Sequence, residues 1–503
     1  MTAAGVITRI LGFVYRVYMS NLMGAEGMGL YQLIMPVYTL AWSIACAGFN
    51  TTVSKLTAQE RAKGEYGNMA LMLKQSVLIT SALGVVLTFV LYFGAGLMSV
   101  YFFGDARTML PLKILSLAFP FMAAGTCIRG YFIGLQETKI PAVNQVLEQI
   151  VRMVVIYLIA AAFVPRGLEY AAAAAVIAIV AEEVFSFFFV FGAYKLHRKK
   201  RRVFAKRSFS ATQSFALIMA MALPLTGNRV VGSLLTAWEN VLIPRRLQMY
   251  GLPAAEAISE FGRIQGMAIP LIFFPTAVLT ALSVTLVPAV SEATAVGGKN
   301  GRGASDVSSF ASKALLFASV TGMGAASMFF FFSHEMGLAI YNQQIGFMLQ
   351  LLGVMCPFIY MQIIISGVLN GLGCQMFIFR NSLISSGICI AFIFILVPKF
   401  GLSAYILGWL VSLIVIIALG LRRIRDFMPL EMQFTRWFLR PFIAAAAAGL
   451  AARFAAERFL FELAGLKMGL VCSIVLLMTL FFSGVLASGC ISRAEVRRLL
   501  GGR

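Results

Sequence analysis

Apolar runs follow one another from the start of this chain to its end, separated by short polar or basic stretches. A membrane crossing needs roughly 20 apolar residues. Hydropathy therefore predicts about fourteen spans, near 3–23, 29–54, 70–102, 109–134, 141–163, 169–194, 213–239, 261–289, 309–333, 346–373, 377–397, 402–421, 438–456 and 468–490. The predicted fold class is an all-α polytopic membrane protein.

Composition agrees. The 503 residues are 60% hydrophobic and 12% charged, with a mean hydropathy of +0.88, whereas a soluble domain has about half apolar and a quarter charged residues. The net charge of +21 lies between the apolar runs rather than in a soluble basic domain, which argues against nucleic acid as the main partner. The segment "KLHRKKRRVFAKR" (195–207) carries eight Lys/Arg. Arg61, Lys63, Lys299, Arg302, Arg422, Arg423, Arg425 and the tail's Arg493, Arg497, Arg498 and Arg503 fall on the same side. The opposite loops "GAEGMG", "FGDAR" and "VPRG" are short and carry few positives. The positive-inside rule then places both termini and the basic linker in the cytoplasm, and the expected location is the plasma membrane. No cleavable signal peptide is expected, because the opening run carries arginines and lacks a small-residue cleavage site.

The basic linker divides a duplication. "VSKLTAQERAKG" (53–64) and "VSEATAVGGKNG" (290–301) share five residues at an offset of 237. The same offset takes Pro120-Phe121 to Pro357-Phe358, Gly130 and Gly134 to Gly367 and Gly371, and Asn144 to Asn381. Six spans per repeat preserve orientation, so the halves are expected to be parallel repeats with a substrate site between them. The expected organisation is a six-helix lobe over 1–194, the linker over 195–212, a second lobe over 213–425, and a helix pair with a basic tail over 426–503. The GxxxG spacing at Gly130/Gly134 and Gly367/Gly371 is read as close packing within the fold rather than dimerisation.

Charges inside spans carry the functional information, since an ionised group in lipid is costly and normally faces the bundle or a wet cavity. Arg9 and Arg16, seven residues apart, share a helix face with Gly12 between them. The fifth span reads "NQVLEQIVR" (144–152), with Asn144, Glu148 and Arg152 one turn apart. Its plain alternative is an intrahelical Glu148–Arg152 pair, which has the favourable order. Arg129 reads as a snorkelling residue at a span end. Glu182 and Glu183 are adjacent, cannot share a face, and at least one is expected to find a structural partner. In "LPLTGNRVVG" (223–232), Pro224 and Gly227 are expected to weaken the helix before Arg229. Pro270, Pro275 and Pro288 predict a kinked eighth span, with Arg263 at its start. Arg9, Arg16, Arg229, Arg263, Glu148 and Arg152 are the candidate substrate-binding residues. For Arg9 and Arg16 the alternatives are pairing with a carboxylate, or snorkelling of Arg9 near the terminus. The seven cysteines contain no C-x-x-C pair, and His197 and His334 are far apart in predicted loops, so neither a metal site nor a cofactor is expected.

"TRILGFVYR", "GAEGMGLYQLIMPVY", "VSKL", "RGYFIGLQ", "QVLEQIVR", "LPLTGNR" and "GMAIPLIFFPTAVLTALSVTLVPAVSEA" resemble the stage V sporulation protein B group. That group belongs to the MOP superfamily, alongside MurJ lipid II flippases, polysaccharide-unit flippases and MATE exporters. The resemblance implies a fourteen-helix, two-lobed flippase. It would move undecaprenyl-pyrophosphate-linked sugars to the outer leaflet, in sporulation members for spore-cortex peptidoglycan. Thr8, Arg9, Leu11, Gly12 and Phe13 match the MurJ first-helix pattern, so Arg9 inherits the role of a cavity arginine. MurJ's second arginine of that helix falls at Tyr15, one position before Arg16. Its second-helix arginine has no counterpart in "PVYTLAWSIACAG" (36–48), and Arg263 lies a turn or more before the eighth-helix one. These departures favour the sporulation branch over MurJ. Group members also carry a longer lead than the eight residues before Arg9, so either the start lies upstream of Met1 or the first span is short.

The mechanism expected is alternating access, with a cationic cavity holding the pyrophosphate while the polyprenyl tail stays in lipid. Arginine suits that task because its planar fork donates two hydrogen bonds to phosphate and keeps its charge when desolvated. Either a coupling cation or the membrane potential can drive the movement. Two other transporters remain as alternatives: a flippase for another polyprenyl-linked polysaccharide unit, and a cation-coupled MATE-like small-molecule exporter. The exporter would favour acidic cavity residues, with Glu148 unpaired. An enzyme such as a membrane glycan polymerase would need a catalytic constellation in outer loops that are too short here, and no nucleotide loop, H-E-x-x-H or G-x-S-x-G motif occurs.

Overall fold

A computed structural model describes residues 2–200, 208–296, 302–430 and 433–490. Residues 201–207 of the basic linker, Lys299 and the tail arginines Arg493, Arg497, Arg498 and Arg503 lie outside the described residues.

In chain order the helices are α1 (Thr2–Trp42), α2 (Gly48–Lys63), α3 (Tyr66–Leu97), α4 (Met109–Ser116), α5 (Phe119–Gly134), α6 (Lys139–Phe163), α7 (Leu168–Lys200), α8 (Ala211–Met249), α9 (Ala254–Phe261) and α10 (Ile269–Phe273). They continue as α11 (Thr276–Val296), α12 (Arg302–Phe331), α13 (Ser333–Met336), α14 (Gly346–Val354), α15 (Cys356–Gly371), α16 (Gln375–Ile395), α17 (Val397–Phe400), α18 (Leu402–Arg425), α19 (Arg440–Ala455) and α20 (Phe461–Ala487). Among the described residues all regular structure is helical. Among the described residues nine helices are long and apolar enough to cross a membrane, or twelve when three bent pairs are each taken as one span.

Two features depart from simple rods. The first helical stretch, Ala4–Lys63, is 60 residues long, about twice what one crossing needs. It turns at Gly24, whose φ of 67° lies in the region open to glycine and costly for other residues. The predicted kink of the eighth span is also present. A π-helical segment, Gly262–Ala268, leads into α10, and the chain bends by 61° before α11. Pro275 stands at that bend, where its missing N–H ends the ladder. The predicted weakening at Pro224 is not found: α8 runs unbroken from Ala211 to Met249 through Pro224 and Pro244. His197 likewise lies on the last turns of α7 and His334 on α13, not in loops.

The chain forms two compact units, Met1–Gly262 and Arg263–Arg503. In the first, α2, α3 and α7 pack on α5, and α8 packs on α1, α2 and α3. The α2–α5 approach depends on the first glycine pair: a Cβ on Gly130 would sit 2.7 Å from the Asn50 carbonyl oxygen, and one on Gly134 would strike Ser54 and Thr57. The second unit repeats this device. Helix α15 begins and ends 237 residues after α5. A Cβ on its Gly371 would sit 2.7 Å from Val290 and 2.9 Å from the Val287 carbonyl oxygen of α11. The GxxxG pairs thus serve helix packing inside each unit, as read from their spacing.

Within the second unit the last helices pack on α12. Ser319 and Ser327 of α12 donate to the carbonyls of Trp437 (2.6 Å) and Ala445 (2.8 Å). Arg453 of α19 meets Glu335 of α13 at 2.6 Å.

Candidate functional site

The first unit encloses a cluster of charged side chains between α1, α5, α6 and α7. The i, i+4, i+8 stripe of α6 turns Asn144, Glu148 and Arg152 inward, and Glu182, Glu183 and Ser186 of α7 face them. Arg129 of α5 pairs with Glu148 and donates to Thr126 at 2.9 Å. Glu148 also accepts from Asn144 at 2.7 Å and from Ser186 at 2.6 Å. Arg152 forms a two-pronged pair with Glu182, and its guanidinium lies 5.6 Å from the centroid of the Tyr15 ring. Glu183 accepts from the Tyr38 hydroxyl at 2.5 Å.

Two expectations are corrected here. The intrahelical Glu148–Arg152 pair does not form, because each residue has a better-placed partner on a neighbouring helix. Nor does Arg129 snorkel; it reaches sideways into the cluster, and its side chain is only 19% exposed. Glu182 and Glu183 do point to different partners, as their adjacency required. Glu182 and Asn144 are almost completely buried. Pairing is what makes such burial tolerable, since an unpaired charge inside a membrane protein is expensive.

The remaining candidates are placed differently. Arg9 and Arg16 on α1 and Arg229 on α8 are exposed. Arg16 and Arg152 both lie within electrostatic reach of Tyr31, which is buried. A Cβ on Gly12, between the two α1 arginines, would come no closer than 3.8 Å to Gln149 of α6. Arg263 opens the second unit, half-buried in its π-helical segment. The structure therefore joins Glu148 and Arg152 to one buried network and leaves Arg9, Arg16 and Arg229 on accessible helix faces.

Tyr38, Thr126 and Ser186 join this network although the sequence did not single them out, and Tyr15 stood out only as the position matching MurJ's second arginine. Of the first three only Ser186 carried a signal, standing four residues after Glu182 on the same helix face.

The charge is not duplicated in the second unit. The offset of 237 takes Arg129, Glu148 and Arg152 to Ser366, Ser385 and Cys389. There Ser385 donates to Ser412 at 3.2 Å, with Cys389 at 3.7 Å from the same hydroxyl. The second copy has the packing glycines but neutral residues where the first has Arg129, Glu148 and Arg152.

Comparison with known proteins agrees with this architecture. The family model for polysaccharide biosynthesis proteins matches residues 1–294. Stage V sporulation protein B of Bacillus subtilis (strain 168) is 30% identical over 446 residues, covering 87% of this chain and 85% of that protein. Lipid II flippase MurJ of the same organism is 33% identical over 171 residues, 32% of this chain and 31% of that protein. Among solved structures, lipid II flippase MurJ in an inward closed conformation superposes with a TM-score of 0.69 at 15% identity, covering 99% of this chain and 98% of that one. An inward-facing MATE-family multidrug resistance transporter of the MOP superfamily gives 0.66 at 15% identity, over 85% of this chain and 95% of that one.

The fold is thus that of the MOP superfamily of multi-pass membrane proteins. The chain belongs to the polysaccharide biosynthesis protein family and, within it, to the stage V sporulation protein B group.

Proposed function

We propose that this protein is a flippase for a lipid-linked oligosaccharide, working by alternating access. A lipid II-type peptidoglycan precursor on undecaprenyl pyrophosphate is its substrate, and spore-cortex synthesis its setting. The observation that carries the reading is the contrast between two sets of cations. Arg129 and Arg152 lie inside the unit against Glu148 and Glu182, whereas Arg9 and Arg16 stand exposed on one face of α1 with Arg229 exposed on α8. Fixed accessible arginines suit a pyrophosphate headgroup.

In this reading Arg9, Arg16 and Arg229 hold the phosphates, and Arg263 is the second unit's candidate. Glu148 and Arg152, with side chains 17% and 22% exposed despite their pairs, offer one edge each to the headgroup. Splitting the two long helices at Gly24 and Gly465, and taking each bent pair once, gives the fourteen-span topology of this reading. Both termini are cytoplasmic in the plasma membrane, so the turn at Gly24 lies outside. A negative-inside potential then favours outward movement of an anionic headgroup by roughly 2.3 kcal/mol per charge per 100 mV if no cation accompanies it.

The cation-coupled exporter is the weaker reading. It gains support from an unpaired Glu148, and here Glu148 accepts from three side chains. The deciding experiment is lipid II translocation in proteoliposomes, wild type against Arg9→Ala, with a folding control. Loss of translocation in a folded variant supports the proposal. Wild-type activity that survives Arg9→Ala removes Arg9 from it. A folded wild type that moves no lipid II removes that substrate and turns the assay to other polyprenyl-linked glycans.

A further inference from the structure

The end of the first unit remote from the N-terminus is held shut by contacts of two different kinds. At Gly24 the chain turns, and Glu26 follows on the returning arm of α1. Opposite it, the α3–α4 connection bends at Gly104 (φ 72°) and presents Asp105 and Arg107. Arg107 is gripped on two sides: Asp105 receives its Nε (3.0 Å) and Nη2 (2.8 Å), and Glu26 receives its Nη1 at 2.7 Å. Arg245, near the end of α8, donates to the Tyr101 carbonyl of the same connection. This short loop therefore bridges α1 and α8.

Beneath it, α1 and α9 touch backbone to backbone. A Cβ on Gly29 would strike the Ile258 carbonyl, and one on Gly262 would lie 2.6 Å from the Gly29 nitrogen. The Ile258 side chain also lies against Gly29 and is buried there, so parting the two helices uncovers it.

The Arg107 and Arg152 ion pairs also differ in kind. The Arg152–Glu182 pair is deep, with the Glu182 side chain 4% exposed, and breaking it would strand a charge. Arg107 and Glu26 are 36% and 27% exposed, in the range where an ion pair adds little to stability and water can replace either partner. Asp105 alone already balances Arg107. The Glu26 arm is superfluous for local neutrality, but it ties together two segments 81 residues apart.

We propose that the α3–α4 connection is a releasable latch on this rim. Arg107–Glu26 and Arg245–Tyr101 hold α8–α9 against α1 in the closed state, and their release lets α9 move away from α1. That the rim is the outer gate of a transport cycle rests on the flippase reading; the latch itself does not depend on the substrate.

The test places a reporter cysteine at Ile258, buried against Gly29, in a cysteine-free full-length background. A membrane-impermeant maleimide is added outside intact cells, with Ala123→Cys on buried α5 as the control. Glu26→Gln is expected to raise the Ile258→Cys labelling rate by about three-fold, the order by which one half-exposed ion pair biases an equilibrium. Glu26→Asp should return it towards the parent, and Ala123→Cys should stay unlabelled. Unchanged labelling in a folded Glu26→Gln protein overturns the latch. So does a rise shared by Ala123→Cys, which means general loosening. Acceleration only with reagent on the inner side supports the latch and overturns the orientation. Because no substrate takes part, failure of lipid II translocation leaves this result standing.

Discussion

Arg152 of α6 pairs with Glu182 of α7 and not with Glu148, which lies one turn away on its own helix. The choice follows from depth. Glu182 is the more buried carboxylate, and Glu148 is already taken by Arg129, Asn144 and Ser186. The cluster fastens α5, α6 and α7 together and brings the cation of Arg152 over Tyr15 of α1. Removing one partner should strand the other. Glu182→Gln is expected to cost about 3–5 kcal/mol, whereas Arg152→Met combined with Glu182→Leu should recover most of that loss. Thermal unfolding of the purified protein in detergent checks both. A single variant as stable as wild type would mean that water reaches Arg152.

The exposed arginines should respond in the opposite way. Arg16→Ala and Arg229→Ala are expected to leave the unfolding midpoint within error, because neither side chain is buried. On the flippase reading proposed above, each should slow lipid-linked substrate translocation about ten-fold, which corresponds to ~1.4 kcal/mol of lost headgroup binding. Lysine at either position should be intermediate, since an ammonium keeps the charge but loses the two-pronged geometry. Translocation rates in proteoliposomes measure the first effect, and the folding control guards the second.

Much of this architecture was legible in the sequence because lipid imposes few choices. Apolar run lengths and the offset of 237 each reflect a constraint that acts along the chain, and the packing glycines came with the repeat. What was not legible acts across the chain. Which carboxylate receives Arg129 or Arg152 depends on how α5, α6 and α7 lie side by side, and helical spacing alone favoured Glu148 with Arg152. Pro224 misled for a related reason. A proline removes one backbone hydrogen bond, but a 39-residue helix packed on α1, α2 and α3 continues through it.

Matched glycine substitutions separate packing from mere presence in a helix. Gly130→Ala places a methyl 2.7 Å from the Asn50 carbonyl oxygen, where backbone rather than a flexible side chain must yield. Overpacking of this kind costs about 1–3 kcal/mol. Gly12→Ala meets nothing nearer than 3.8 Å, and alanine is the better helix former by about 0.5–1 kcal/mol. The first variant should unfold earlier than wild type and the second no earlier, by the same thermal assay.

The contact between α19 and α13 should govern how the terminal helices stay attached. Arg453 donates to Glu335 at 2.6 Å, to Glu457 at 2.7 Å and to the Phe331 carbonyl at 3.2 Å. The two carboxylates are not equivalent. Glu335 has a side chain 11% exposed, while Glu457 is 59% exposed and can turn to water. Glu457→Gln should therefore change stability by less than about 1 kcal/mol. Arg453→Met leaves Glu335 buried without its cation and should cost more, on the order of 2 kcal/mol once its partial exposure is discounted. Adding Glu335→Gln to Arg453→Met should restore part of the loss by removing the stranded charge. Hydrogen exchange read separately over 440–455 and over the first unit locates the effect. Faster exchange confined to 440–455 in Arg453→Met means that the pair anchors α19; uniform acceleration would assign it to general stability instead.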